Sequence, residues 1–402
     1  MIKINKSLVK GSFILLIAYN IYNVLNFFFH FTMVRLLEVA EYAVLASLFS
    51  IIYILAVFTE SIQTVITKYS AEEKDEGKLK NILKKTFRKS LFVSLILFVI
   101  YLLIAVPLSK LLRIDYLLML LNGIMIILAF TTPVNRGILQ GRKKFNSLGI
   151  NMITEAVVKF VLAIVLVLLG LSVFGAITGT IIGVGTALGL SFFSIGDILK
   201  SREKKAETGG IYSYTRPAFF VTLVILTFYS IDVIIVKIFF EDDLAGIYAI
   251  ASILAKTIFF GTQPISRAMF PLSAENNNDK KRSSNVFFNA LAIFCFGVII
   301  ALVIFYFSSD FIIKIFSGKE IPESASILFY LGVAISLISL SNLILLYKLS
   351  IGRVNGYYYL FIFIILEIIL LSVFSNSLFQ FSIAFITASA ALLWASIVLV
   401  ND

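Results

Sequence analysis

The side chains able to do chemistry in this chain are few, and most stand inside oily segments. In YSIDVIIVKIFF, Tyr229 to Phe240, Asp232 and Lys237 interrupt an almost purely apolar stretch. Lys256 stands in IYAIASILAKTIFF, Glu155 and Lys159 in TEAVVKFV, Glu60 in AVFTES, Glu367 in FIILEIIL and His30 in FFFHFT. Arg216, just before Pro217, and Arg267 lie near the ends of such segments. An ionisable group in hydrocarbon is costly, which makes each of these a functional candidate. Lys256, Arg216 and Arg267 are groups that hold a phosphate, whereas Glu60, Glu367 and His30 are groups that carry a coupling proton or cation. One His and one Cys, Cys295, leave no conventional zinc site and no intrachain disulfide. The sequence contains no G-x-S-x-G, H-E-x-x-H or nucleotide-binding G-x-x-x-x-G-K-[ST] pattern. We therefore expect no enzyme and no cofactor, with energy drawn from an ion gradient, the membrane potential or the substrate gradient.

The elements that position these residues are membrane helices. Of 402 residues 60% are hydrophobic and 14% charged, and the mean hydropathy is +1.00, far from a soluble domain. Apolar runs of about 20 residues, each able to cross a hydrocarbon core of roughly 30 Å as a helix, recur throughout. Twelve spans are expected, near residues 11–34, 42–66, 90–109, 116–138, 148–170, 173–196, 214–239, 244–270, 286–307, 325–347, 356–373 and 380–400. The first is too long for a signal-peptide core and lacks a small-residue cleavage site, so it reads as a retained span.

Charge orients the spans. With the N-terminus cytoplasmic, alternate connections on that side carry 24 Lys and Arg, against 5 on the other. By the positive-inside rule both termini are cytoplasmic. The net charge of +11 is then topological, with attraction to anionic lipid headgroups and no nucleic-acid role.

Helix geometry sharpens the candidates. Asp232 and Lys237, five apart, point about 140° away from each other and cannot form a simple pair. Lys237 falls at the outer end of span seven, where it is expected to snorkel to water. Asp232 lies about 7.5 Å deeper, facing a central cavity, with a partner on another helix. Lys256 lies about 18 Å down span eight; it holds substrate phosphate or joins an internal ion pair. Glu155 and Lys159 have the spacing of a self-neutralising helix pair, the alternative being a place in a polar cavity. Arg216 and Arg267 are either phosphate contacts at the cytoplasmic mouth or headgroup anchors. Gly175, Gly179 and Gly183, four apart, suit close helix packing. Pro133 and Pro217 are expected to kink or begin helices, and Pro271 to end span eight.

The chain also repeats itself weakly. EYAVLASLF in one half echoes IYAIASILA in the other, and KYSAEE echoes FPLSAEN. We divide it into a six-helix lobe at 1–200, a cytoplasmic linker at 201–213 and a second six-helix lobe at 214–402. An even number of spans per half relates the lobes by an axis along the membrane normal.

Two stretches go beyond architecture. GILQGRKKFNSLGINMITEAVVKFVLAIVLVLLGLSVFGAITGTIIG, Gly137 to Gly183, resembles the polysaccharide-exporting flippases, in which G-I-L-Q-G precedes a basic loop and a G-x-x-G-A hairpin. SIDVIIVKIFFEDDLAGIYAIASILAKTIFFGTQPISRAMFPLSAE, Ser230 to Glu275, is similar to their span seven and eight hairpin, where an aspartate precedes G-x-Y-x-x-A and an F-P follows. Leu36-Leu37-Glu38 departs from the usual Leu-Gly of the first hairpin. The resemblance is to the oligosaccharide-lipid flippases of the multidrug/oligosaccharidyl-lipid/polysaccharide (MOP) exporter superfamily. It implies an all-α, V-shaped pair of six-helix bundles in the cell membrane. Their substrate would be a lipid-linked oligosaccharide on a polyprenyl or dolichyl (pyro)phosphate, moved to the outer leaflet by alternating access. Membrane lipids, and glycosyltransferases and a polymerase of the same pathway, are the partners it implies. A multidrug or cation antiporter of the same superfamily is the alternative, and a membrane glycan polymerase or ligase a third.

Overall fold

The computed structural model describes residues 6–206, 216–275, 280–353 and 355–400. Its first part holds α1 (Lys6–Leu36), α2 (Val39–Glu72), α3 (Glu76–Leu112), α4 (Tyr116–Gly141), α5 (Phe145–Leu166), α6 (Ser172–Ser194) and the short α7 (Gly196–Lys200). Then follow α8 (Arg216–Phe239), α9 (Asp242–Ala255), α10 (Thr257–Glu275), α11 (Lys280–Phe307), α12 (Ser309–Ser317), α13 (Pro322–Ser350), α14 (Leu360–Val373) and α15 (Leu378–Val398). Among the described residues, ten stretches are long and apolar enough to cross a membrane. One of them, Phe145–Ser194, is α5 and α6 joined by a tight turn at Val167–Leu171, where Gly170 takes a φ of 89°. Counting it as two crossings and adding the shorter Tyr357–Val373 recovers the twelve segments expected. This is a multi-pass, all-helical membrane protein.

Several boundaries differ from the hydropathy reading. The basic stretch 68–89, which falls between the expected spans at 42–66 and 90–109, is helical except for residues 73–75. Its Lys, Leu and Arg are good helix formers, and Asp75 caps α3 by accepting from the Gly77 and Lys78 amides. Pro271 does not end its helix but stands inside α10, which runs on to Glu275. Pro133 is likewise within α4, and Pro217 follows the first residue of α8. The connection at 308–324 contains the amphipathic α12.

The helices cluster into two compact units, Met1–Leu37 with Leu55–Arg216, and Glu38–Ile54 with Pro217–Asp402. The dividing point in α2 thus falls between Ile54 and Leu55. Of the expected linker, residues 201–206 lie along the start of α3, where Lys204 N–H donates to the Gly77 carbonyl and Lys80 Nζ to that of Ser201. Residues 207–213 lie outside the described residues. In the second unit α13 packs on α9, α10, α11 and α15. Lys348 donates to the Ser396, Ile397 and Val400 carbonyls, satisfying acceptors that the end of α15 leaves open.

In the first unit α1 packs on α5, α3 on α4, and α4 on α6, around Ile66, Leu83, Val134, Ile138 and Leu148. The tightest element is the α5/α6 hairpin. A Cβ on Gly175 would meet the Leu166 and Val167 backbone, one on Gly179 the Ala163 backbone, and one on Gly183 the backbone of Glu155 and Lys159. Small residues four apart therefore bring α6 onto the ridge of α5 that carries Glu155 and Lys159. Gly179→Leu is expected to push the hairpin apart, because its Cβ would stand 2.6 Å from the Ala163 nitrogen, which cannot yield. A loss of at least about 1–3 kcal/mol should appear as a lowered unfolding midpoint of the detergent-solubilised protein, with Gly185→Leu, whose Cβ meets open space, as the control.

Candidate functional site

Each unit carries its own buried polar cluster. In the first, Asn151, Glu155 and Lys159 are spaced by four on α5, and Tyr22 and Asn26 by four on α1, so each set forms one ridge. Between them reaches Arg136 of α4. Its Nη2 lies 2.6 Å from Glu155 Oε2, and its Nε donates to Asn151 Oδ1 at 2.8 Å. Tyr22 Oη donates to Glu155 Oε1 at 2.9 Å, and Asn151 Nδ2 to the Ala187 carbonyl of α6 at 2.6 Å. Lys159 Nζ donates to Asn26 Oδ1 at 2.8 Å and stands 4.2 Å above the Phe29 ring. Arg136, Glu155 and Lys159 are all buried, and with those three groups charged the cluster holds one cation in excess.

The second unit uses the same device. Tyr248, Ser252 and Lys256 follow one another by four at the end of α9, and all three donate to Asp232 of α8. Lys256 Nζ is 2.9 Å from Oδ1; Tyr248 Oη and Ser252 Oγ are 3.0 and 2.9 Å from Oδ2. The ammonium also stands 4.9 Å above the Tyr229 ring, within cation–π range. Lys256 is the junction residue between α9 and α10, with right-handed helical angles and its N–H donating to the Ser252 carbonyl. Glu367 of α14 is fully buried, neither of its carboxyl oxygens has a hydrogen-bond partner, and Asp232 and Lys256 act on it electrostatically.

These contacts bear on three expectations. Lys237 does not snorkel: it is fully buried and its ammonium lies 2.6 Å from Asp242, because the turn between α8 and α9 places that acid over it. The Glu155 carboxylate accepts from Arg136 and Tyr22 on neighbouring helices, while Lys159, one turn away, donates to Asn26. Lys256 faces Asp232, the partner on another helix that the sequence required and the internal ion pair it left open for that lysine. Arg216, Arg267 and Glu60 are exposed, and His30 is buried edge-on to Phe29. Arg136 is the residue the sequence reading missed, having been counted with the cytoplasmic cations. Its distance from the next basic residue was the available signal: Arg142 is six residues on, so Arg136 lies about 9 Å further into the helix.

The fold is that of the MOP-superfamily transporters. A multidrug-resistance MATE transporter in an inward-facing conformation matches with a TM-score of 0.76 at 13% identity, covering 94% of each chain. The lipid II flippase MurJ, in an inward closed conformation, matches with a TM-score of 0.71 at 16% identity over 95% of this chain and 86% of that one. A MOP transporter from Pyrococcus furiosus, described as having a binding pocket of reverse polarity, gives 0.63 at 14% identity over 98% and 95%. No curated protein sequence matches. The profile of the polysaccharide biosynthesis protein family matches residues 32–326, and the chain belongs to that family.

The Asp232–Lys256 pair can be tested for mutual dependence. Asp232→Asn should leave a buried ammonium with weakened partners and destabilise the protein by about 3–5 kcal/mol. Adding Lys256→Met should recover much of that loss, which a double-mutant cycle of unfolding in detergent would measure.

Proposed function

We propose that this protein is a flippase for a lipid-linked oligosaccharide carried on a polyprenyl or dolichyl (pyro)phosphate, moving it from the cytoplasmic to the outer leaflet for surface glycan assembly. The observation that carries this reading is the buried excess cation of the Arg136–Glu155–Lys159 cluster. A sugar and an anionic phosphate must cross hydrocarbon while the lipid tail can stay in it. A buried cation already hydrogen-bonded in place supplies charge to the phosphate with little reorganisation. Family membership supports a polysaccharide precursor as cargo. Alternating access is supported by the fold, which has been solved in inward- and outward-facing conformations in a MATE transporter. On this reading the protein is a transporter rather than an enzyme, sits in the cytoplasmic membrane with both termini inside, and works beside glycosyltransferases and a polymerase. Lys256, Arg216, Arg267 and Asp232 are further candidate substrate contacts.

Glu367 is the coupling group in this reading, with Glu60 and His30 as the other candidates. A buried carboxyl without a hydrogen-bond partner is costly when charged, so taking up or releasing a proton there changes the local energy more than at an exposed acid. The adjacent Asp232–Lys256 pair would sense that change. The acids of the second unit also suit a cationic substrate, which keeps the drug or cation antiporter as the second reading.

In liposomes holding the purified protein, a labelled lipid-linked oligosaccharide should cross between leaflets. Lys159→Gln removes the excess cation while keeping the Arg136–Glu155 pair, and should slow flipping about tenfold or more, the effect of losing one charge-assisted hydrogen bond. No flipping of any such lipid, together with proton-coupled efflux of a cationic dye, would establish the antiporter instead. Glu367→Gln should abolish the response of the flipping rate to an imposed pH gradient; a retained response would move the coupling group elsewhere.

A further inference from the structure

The first unit carries a second charged feature that the transport reading leaves unused. Beside the start of α3 lies a cleft of about 520 Å³, lined by Lys84, Lys85, Arg88, Lys89, Phe92 and Glu203 among others. The four cations stand at i, i+1, i+4 and i+5, on one face of the helix. That face continues as Phe92, Leu95, Ile96, Val99, Ile100 and Leu103, every one of them exposed. From Phe92 to Leu103 is eleven residues, about 16 Å of helix, close to half of a hydrocarbon core of roughly 30 Å. A cationic headgroup seat followed by an apolar track one leaflet deep matches the shape of a single phospholipid.

One anion already stands in the seat. Glu203, in the segment that follows α7, accepts from Lys84 Nζ at 3.0 Å and from Asn81 Nδ2 at 2.6 Å. Those two donors hold its carboxyl below the usual carboxylate range. The same segment is tied to α3 by Lys85, which donates to the Ala206 carbonyl at 3.3 Å. In the lining four cations, Lys84, Lys85, Arg88 and Lys89, stand beside one acid, Glu203.

The geometry points to a binding site for an anionic glycerophospholipid on this face of α3, with its phosphodiester at Lys85, Arg88 and Lys89 and an acyl chain along Phe92 to Leu103. Glu203 acts as an intramolecular competitor by placing its own negative charge at Lys84, beside those three cations in the same cleft. Lipid binding therefore bears on how firmly residues 201–206, the start of the connection between the two repeats, are held.

The test uses the full-length protein, delipidated in detergent and offered phosphatidylglycerol or phosphatidylcholine with identical acyl chains, with retained lipid counted by native mass spectrometry. The wild type should retain phosphatidylglycerol about tenfold or more over phosphatidylcholine, since each Lys or Arg near a membrane surface contributes about a factor of five. Lys85→Gln/Arg88→Gln/Lys89→Gln should bring the two lipids near parity, and Glu203→Gln should raise phosphatidylglycerol retention, a gain that misfolding cannot produce. A triple variant that keeps the preference would overturn the site. So would displacement of the lipid by equimolar glycerol 3-phosphate, which would show a cleft that reads soluble phosphate. A fall in retention with Glu203→Gln would show that Glu203 belongs to the site instead of competing for it.

Discussion

Everything in this molecule answers to one constraint: a charge buried among membrane helices needs a partner held in register on another helix. Hydrocarbon offers no water to complete the hydrogen bonds of an ammonium or a carboxylate. The protein meets that demand the same way twice. A ladder of polar residues four apart on one helix presents several groups along a line, and a single opposite charge on a neighbouring helix collects them. On α5 the ladder is Asn151, Glu155 and Lys159, of which Arg136 collects Asn151 and Glu155, while Lys159 is bonded to Asn26 of α1. On α9 it is Tyr248, Ser252 and Lys256, and the collector is Asp232.

The backbone is shaped to allow this. Gly175, Gly179 and Gly183 let α6 lie against α5 closely enough for Asn151 to reach the Ala187 carbonyl. A bulkier stripe would hold the hairpin open and strand part of the ladder. In the second unit Lys256 stands at the junction of α9 and α10, where its backbone keeps right-handed helical angles and its ammonium meets Asp232.

The two clusters are not equivalent electrostatically, and the difference bears on function. The first holds two cations, Arg136 and Lys159, beside one acid, Glu155; the second has an acid, Glu367, without a hydrogen-bond partner. On the proposed reading, one unit would contribute charge to the cargo and the other would respond to a proton. Outside both clusters, the basic end of α3 treats phosphate at the membrane surface as a neighbour rather than as cargo.

The sequence by itself determined the class of fold, the twelve apolar segments and the identity of nearly all the buried charges, because hydrophobic runs and the charges that interrupt them are local features. It also required Asp232 to find its partner on another helix, since Lys237 points the wrong way. The tertiary structure decided which partners are chosen. Glu155 bonds to Arg136 rather than being left to the lysine one turn away, Lys237 goes to Asp242 instead of water, and a supposed loop cation proves to be buried. Those choices depend on which helices lie side by side and how closely, and helix adjacency is set by packing between segments distant in the chain. Spacing along one helix fixes where a side chain points, but only the assembled bundle fixes what it meets.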